Sequence, residues 1–201
     1  MEFIEDIAAL EALYGQVGVP ARRKVAPYLI DTYRAWIERS RFCVLSTVGP
    51  EGTDGTPRGD ESPVVQVLDD YTLAMPDWRG NNRIDSLRNI VRDGRVSLMF
   101  LVPGSTNAMR VNGKAKLTTD EGMRARFEKD GRQPATVIVI AIEEVYPQCA
   151  RALLRSELWT LGDQSAGLPT VGDMLTEITK GTENGKAYDE AWPARARQTM
   201  W

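Results

Sequence analysis

From residue 42 to residue 145 the sequence returns repeatedly to short β-rich runs, with few and short helices between them. Residues 42–48 form the first run, closed by the turn cluster Gly49-Pro50-Glu51-Gly52. The stretch from Gly55 to Asp60, then Val64, Val65, Val67 and Leu68, leads through Asp69-Asp70 into a run at 71–75, the spacing of an antiparallel meander. Residues 96–102 are apolar almost throughout and predict a strand buried on both sides, ended by Pro103-Gly104. Residues 107–117 alternate Met109, Val111 and Ala115 with Arg110, Asn112 and Lys116, so one face is buried and one is wet. A long last strand rich in Val and Ile is expected over 134–145. About six strands with few and short helices between them predict a mainly β, α+β fold, a small closed antiparallel barrel rather than βαβ units.

Helices flank this body. Ile4, Ile7, Ala8, Leu10 and Leu13 predict a short amphipathic helix stopped at Gly15, and a second helix is expected from Pro20 to about Arg39 with Val25, Leu29, Tyr33, Trp36 and Ile37 on its apolar face. Residues 121–129 read as a short helix capped by Thr119 or Asp120. Ala150, Leu153, Leu154 and Leu158 predict a helix over 146–159 that carries Arg151, Arg155 and Trp159. A further helical stretch is expected at about 171–180, and the polar chain beyond Gly181 reads as loosely held. The expected plan is a helical extension at 1–40, the barrel at 41–160 and a C-terminal extension at 161–201.

Composition narrows the chemistry. The net charge of −3 arises from interspersed acids and bases with no basic block, which gives a nucleic-acid partner no electrostatic support. Cys43 and Cys149 lie far apart without histidine companions, so neither a disulfide framework nor a zinc site is expected. The acidic opening Met1-Glu2-Phe3-Ile4-Glu5-Asp6, followed by no long apolar run, points away from a signal peptide or membrane span and towards a cytoplasmic protein. There is no histidine in the chain, which removes Ser-His-Asp and Cys-His catalysis. A bound cofactor is the economical answer, because it carries the difficult step and asks the protein for position and electrostatics.

The candidate cofactor site is the turn Asp77-Trp78-Arg79-Gly80-Asn81-Asn82-Arg83, followed by Ile84, Leu87, Ile90 and Val91 at helical spacing. Asn81 or Asn82 stands at the expected N-cap and the helix is expected to start at about Arg83. A cation in the first turn opposes the helix dipole, and a bound anion reverses that sign. Free N–H groups, Gly80, two Asn amides and the Arg83 guanidinium together form a candidate phosphate cradle; the plainer reading is a solvated arginine after an ordinary turn.

With the strands and turn in place, the succession Pro57-Arg58-Gly59-Asp60, Gly80-Asn81-Asn82-Arg83, Ser86-Leu87-Arg88-Asn89 and Met109-Arg110-Val111-Asn112-Gly113 resembles the pyridoxamine 5′-phosphate oxidase-like FMN-binding family. The match extends to Cys149-Ala150-Arg151 and Arg155-Ser156-Glu157-Leu158-Trp159, a segment typical of one subfamily. The resemblance implies a split β-barrel, a homodimer holding two FMN molecules between its subunits, and an FMN-dependent oxidoreductase acting on a small substrate; the alternative is flavin binding without turnover. It implies that Gly80, Asn81, Asn82 and Arg83 hold the FMN phosphate, that Arg58 is a second phosphate or ribityl contact, and that Met75 and Asp77 mark the strand end whose backbone lies along the flavin ring. Ser86 and Arg88 are weaker candidates. Arg110 is implied as a polar flavin contact or else a solvent-facing strand residue, and Arg155 and Trp159 as contacts to the partner's flavin, or else interface anchors, with Trp159 alternatively a core aromatic. The Arg-x-His of true pyridoxamine phosphate oxidases is absent with every other histidine, so pyridoxamine phosphate is not the expected substrate.

Overall fold

The computed structural model describes residues 1–199. Strands β1 (Phe42–Gly49) and β2 (Gly52–Gly59) form one hairpin, β3 (Gln66–Asp69) and β4 (Thr72–Asp77) another, and β5 (Arg95–Leu101), β6 (Ala108–Thr118) and β7 (Thr136–Gln148) run between them. They make one seven-stranded sheet in the order β2-β1-β5-β6-β7-β4-β3, antiparallel at every pairing. This is the α+β antiparallel fold of a split barrel.

There are seven strands rather than about six because the stretch at 52–68 divides in two. β2 has no large apolar residue, so alternation gave no signal for it, and β3 is four residues long. Both are edge strands, and an edge accommodates Pro57 because its missing N–H leaves no central ladder bond unmade. Between them Val64 and Val65 turn into the core.

The core lies inside the curl of the sheet, with Leu45, Leu98, Phe100, Val111, Ile138 and Ile140 fully buried. β6 alternates as its sequence predicts, Val111 and Ala115 inward against exposed Lys114 and Lys116. β5 is not buried on both sides: Val96, Leu98 and Phe100 face the core, whereas Met99 on the outer face is 38% exposed. Gly113 sits where the β6–β7 register shifts, and a side chain there would run into the carbonyl of Ala141. Helix α4 (Asp85–Arg92) closes one side through Leu87 and Ile90, and buried Asn89 donates to Thr47 Oγ1 at 3.1 Å.

The helix expected from Pro20 to Arg39 is two helices, α2 (Val19–Arg23) and α3 (Asp31–Arg39), preceded by α1 (Ile7–Tyr14). Pro27 interrupts it. The intervening chain runs extended, exchanging backbone bonds between Ala26 and Val145 and tying Leu29 N–H to the Asp70 carbonyl at 2.8 Å. Helix α5 (Glu121–Ala125) is capped by Asp120 and is shorter than expected. The helix expected over 146–159 begins later, at α6 (Arg151–Arg155), because β7 keeps pairing through Tyr146 and Gln148. The tail forms a hairpin of α7 (Val171–Ile178) and α8 (Gly185–Thr199), so a second helix stands beyond Gly181 where none was expected. The backbones of Gly172 and Gly185 touch, and Asp189 accepts the Gly172 N–H at 2.9 Å. Among the described residues no helix is long and apolar enough to cross a membrane.

Candidate functional site

β2 and β4 are not hydrogen-bonded neighbours in the sheet, yet their ends meet through side chains. Arg58 Nη1 lies 2.5 Å from Asp77 Oδ1, with both side chains 18% exposed, and Arg58 Nη2 donates to Ser86 Oγ at 3.1 Å. Arg58 Nε is buried and has no hydrogen-bond partner among the described residues. Such a donor is costly to leave unmade, about 1–3 kcal/mol. Opposite Arg58 in the β1–β2 ladder stands Cys43, whose thiol burial pushes up to about 12 while the Arg58 charge pulls it part of the way back. Cys43 is therefore a neutral, packed thiol.

The turn rises from this cluster. Asn81 Oδ1 accepts the Arg83 N–H at 3.0 Å, Asn82 adopts a positive φ of 62°, and Gly80 has open space where a side chain would stand. The Asn81 bond also explains why α4 begins at Asp85 rather than at Arg83: the Arg83 donor is satisfied ahead of the helix, and Ile84, which has no capping side chain, occupies the N-cap. The first-turn N–H groups of α4 thus receive no side-chain cap. Arg83 is 81% exposed and pairs with Asp85 at 3.0 Å.

Behind the turn, Trp78 Nε1 donates to Asp60 Oδ2 at 2.9 Å, Lys129 Nζ pairs with Asp60, and the same ammonium lies 5.3 Å from the Trp78 ring centre. Burial alone would raise the Asp60 pKa, but hydrogen bonds from Lys129, Trp78 and Ser62 outweigh it and hold the carboxyl below its usual range. A hollow of about 420 Å³, lined in part by Asp60, Ser62, Gln66, Phe127 and Lys129, opens beside them. Sequence reasoning missed this group. Asp60 lay in view two residues beyond Arg58, but Lys129 is 69 residues from Asp60 and no local pattern announces it.

The remaining expected residues lie elsewhere. Met75 is 1% exposed and its side chain belongs to the core, leaving its backbone for any other contact. Arg110 stands on the outer face of β6, 5.4 Å from the ring centre of Tyr146, in a register row with Val44 and Met99. Arg155 is exposed and donates to the Arg151 carbonyl at 3.3 Å, while Trp159 donates to the Ser105 carbonyl of its own chain at 2.7 Å. Arg88 is exposed on α4. The structure therefore gathers Arg58, Asp77 and Ser86 at the foot of the turn that carries Gly80 to Arg83; Arg110, Arg155 and Trp159 make their polar contacts outside that group.

A family model described as pyridoxamine 5′-phosphate oxidase matches residues 29–149. Among solved structures, a HupZ variant from Group A Streptococcus is 18% identical with a TM-score of 0.50, the match covering 59% of this chain and 98% of that one. General Stress Protein 26 from Bacillus anthracis is 18% identical over 58% of this chain and 91% of its own, with a TM-score of 0.44. An FMN-binding protein from Syntrophomonas wolfei is 16% identical over 59% and 89%, also with a TM-score of 0.44. No curated protein matches.

Proposed function

This chain belongs to the pyridoxamine 5′-phosphate oxidase family, and from that premise we propose that it is a homodimeric, FMN-dependent oxidoreductase acting on a small substrate. The observation that carries the reading is the half-buried Arg58 guanidinium at the foot of an open turn, its buried Nε unpartnered among the described residues. A phosphate oxygen is the kind of acceptor that such a donor lacks.

The donor set fits that group. Arg58, Arg83, the Asn82 amide and the uncapped N–H groups of α4 are cationic or neutral donors at a helix start, the chemistry that holds a phosphate dianion. Arg83 gives up little in turning from Asp85 to a phosphate, since exposed ion pairs contribute only about 0–1 kcal/mol. Asp77 aims Arg58 and is itself an acceptor for the hydroxyls of a ribityl chain, and Ser86 supports Arg58 from α4. FMN bound there supplies hydride chemistry at its N5, and the task left to the chain is to hold and orient it and to exclude water.

The outer face of the sheet supports the dimer. Phe42, Val44, Met99 and Leu101 form an apolar patch beside Arg110 and Tyr146, with Phe42 and Met99 exposed and Val44 and Leu101 half-buried. A second copy seated on this face carries Arg110 and the segment bearing Arg155 and Trp159 towards the other subunit's turn.

Titrating FMN-free protein with FMN tests the reading. Saturable quenching of flavin fluorescence at one FMN per chain, then bleaching by NADH or NADPH and reoxidation by an added acceptor, is the expected result. A protein that takes up no FMN overturns the proposal, and uptake without turnover leaves a flavin carrier.

A further inference from the structure

We propose that the first 24 residues form an arm that pairs, antiparallel and about a two-fold axis, with the same arm of a second copy of this chain. The first observation is that α1 buries none of its residues. Its sequence, Ile-Ala-Ala-Leu-Glu-Ala-Leu-Tyr, has one charged residue in eight, so it is apolar on all sides rather than amphipathic as expected. Helices of that kind occur buried, and eight residues alone in water make a marginal helix. Yet Ile7, Leu13 and Tyr14 are 69%, 70% and 81% exposed, and Phe3, Val17 and Val19 continue the uncovered surface. The arm is fixed at one end, where Ala26 bridges to Val145, and jointed at Gly15, whose φ is +67°.

The second observation identifies the occupant. Glu2, Glu5, Asp6 and Glu11 are followed by no base until Arg22, Arg23 and Lys24, and no acid interrupts residues 12–30. Among the described residues none of these seven takes part in an ion pair. A segment with acids at one end and bases at the other is complementary to its own antiparallel copy, the self-complementarity that a two-fold interface demands. A second exposed apolar strip, Val171, Met174 and Ile178 on α7, suits the arm less well. Its hairpin carries Asp173, Glu177, Glu183, Asp189 and Glu190 against Lys180 and Lys186 over residues 171–190, the same sign as α1. An anionic lipid surface likewise repels the acids of the arm.

Sedimentation equilibrium of the full chain and four variants tests this. Deleting residues 1–17 is expected to weaken self-association by about tenfold or more. Glu5→Lys with Glu11→Lys, and separately Arg22→Glu with Arg23→Glu, weaken it as well, whereas the four changes together restore it to within about threefold of the parent. Setting the acids of one arm against the bases of the other places the two-fold axis near Tyr14. Tyr14→Cys in a Cys149→Ser background is therefore expected to form a disulfide with its own copy, and Ile7→Cys is not. Self-association unchanged by the deletion, a fourfold variant no better than either double, or failure of Tyr14→Cys to link overturns the proposal. So does a deletion that abolishes binding to vesicles while leaving self-association intact, which would assign the arm to lipid.

Discussion

Trp78 donates its indole hydrogen to Asp60 across 2.9 Å, and this bond joins the proposed phosphate turn to the chain just beyond β2. Lys129 pairs with the same carboxylate and stacks against the indole, so three distant segments meet at one anion.

The anion has a pH signature. Because the Asp60 pKa is held below its ordinary 3.8, its contribution to stability is complete above that value and is lost as pH falls through the folded value. Asp60→Asn is expected to lower stability at neutral pH and to flatten the acid limb below 3.8. Urea unfolding at a series of pH values checks it, and acid slopes identical to the parent's would show that Asp60 does not titrate as argued.

Arg58→Ala is expected to weaken FMN binding by about 1.5–3 kcal/mol, the range for a charge-assisted hydrogen bond to a phosphate. Arg83→Ala is expected to act in the same direction but less strongly, since Arg83 is 81% exposed and screened by water. Paired FMN titrations decide the order.

The thiols differ in reactivity. With its pKa pushed up to about 12 by burial, Cys43 is expected to resist a disulfide reagent at mildly alkaline pH, whereas exposed Cys149 reacts. One thiol per native chain and two per unfolded chain is the expected titration; two fast thiols in the native protein would contradict the burial of Cys43.

Gly113→Ala places a methyl against the Ala141 carbonyl at the bulge between the two longest strands and is expected to cost about 1–3 kcal/mol or more. Gly172→Ala, which drives a methyl into Gly185, is expected to open the α7–α8 hairpin while the barrel stays folded. Amide exchange distinguishes the global effect from the local one.

What could be read from the sequence follows the local signals. Alternation in 107–117 located β6 and its two faces, because one side of that strand meets the core and the other meets water. β2 was not set apart from β3 because Gly52-Thr53-Asp54-Gly55-Thr56-Pro57-Arg58-Gly59 has nothing to bury, and its place at an edge requires nothing to be buried. The break between α2 and α3 was written in Pro27 and passed over in favour of the apolar period. At the site, Arg58 and the turn were visible as short motifs. The carboxylates beside them were not assigned their partners, because Asp77 meets Arg58 and Lys129 meets Asp60 only when the sheet curls.

The curl leaves a seam. β2 and β4 are fastened at their ends by Arg58 with Asp77 and by Asp60 with Trp78, whereas β6 and β7 are stitched by a backbone ladder from Ala108 to Thr118. Rotating a side chain is a fast and inexpensive motion, while parting a ladder means breaking many bonds in concert. Mechanical compliance is therefore concentrated at one line of the barrel, next to the proposed phosphate turn. Undoing the Arg58–Asp77 and Asp60–Trp78 clasps therefore costs less than parting the opposite wall.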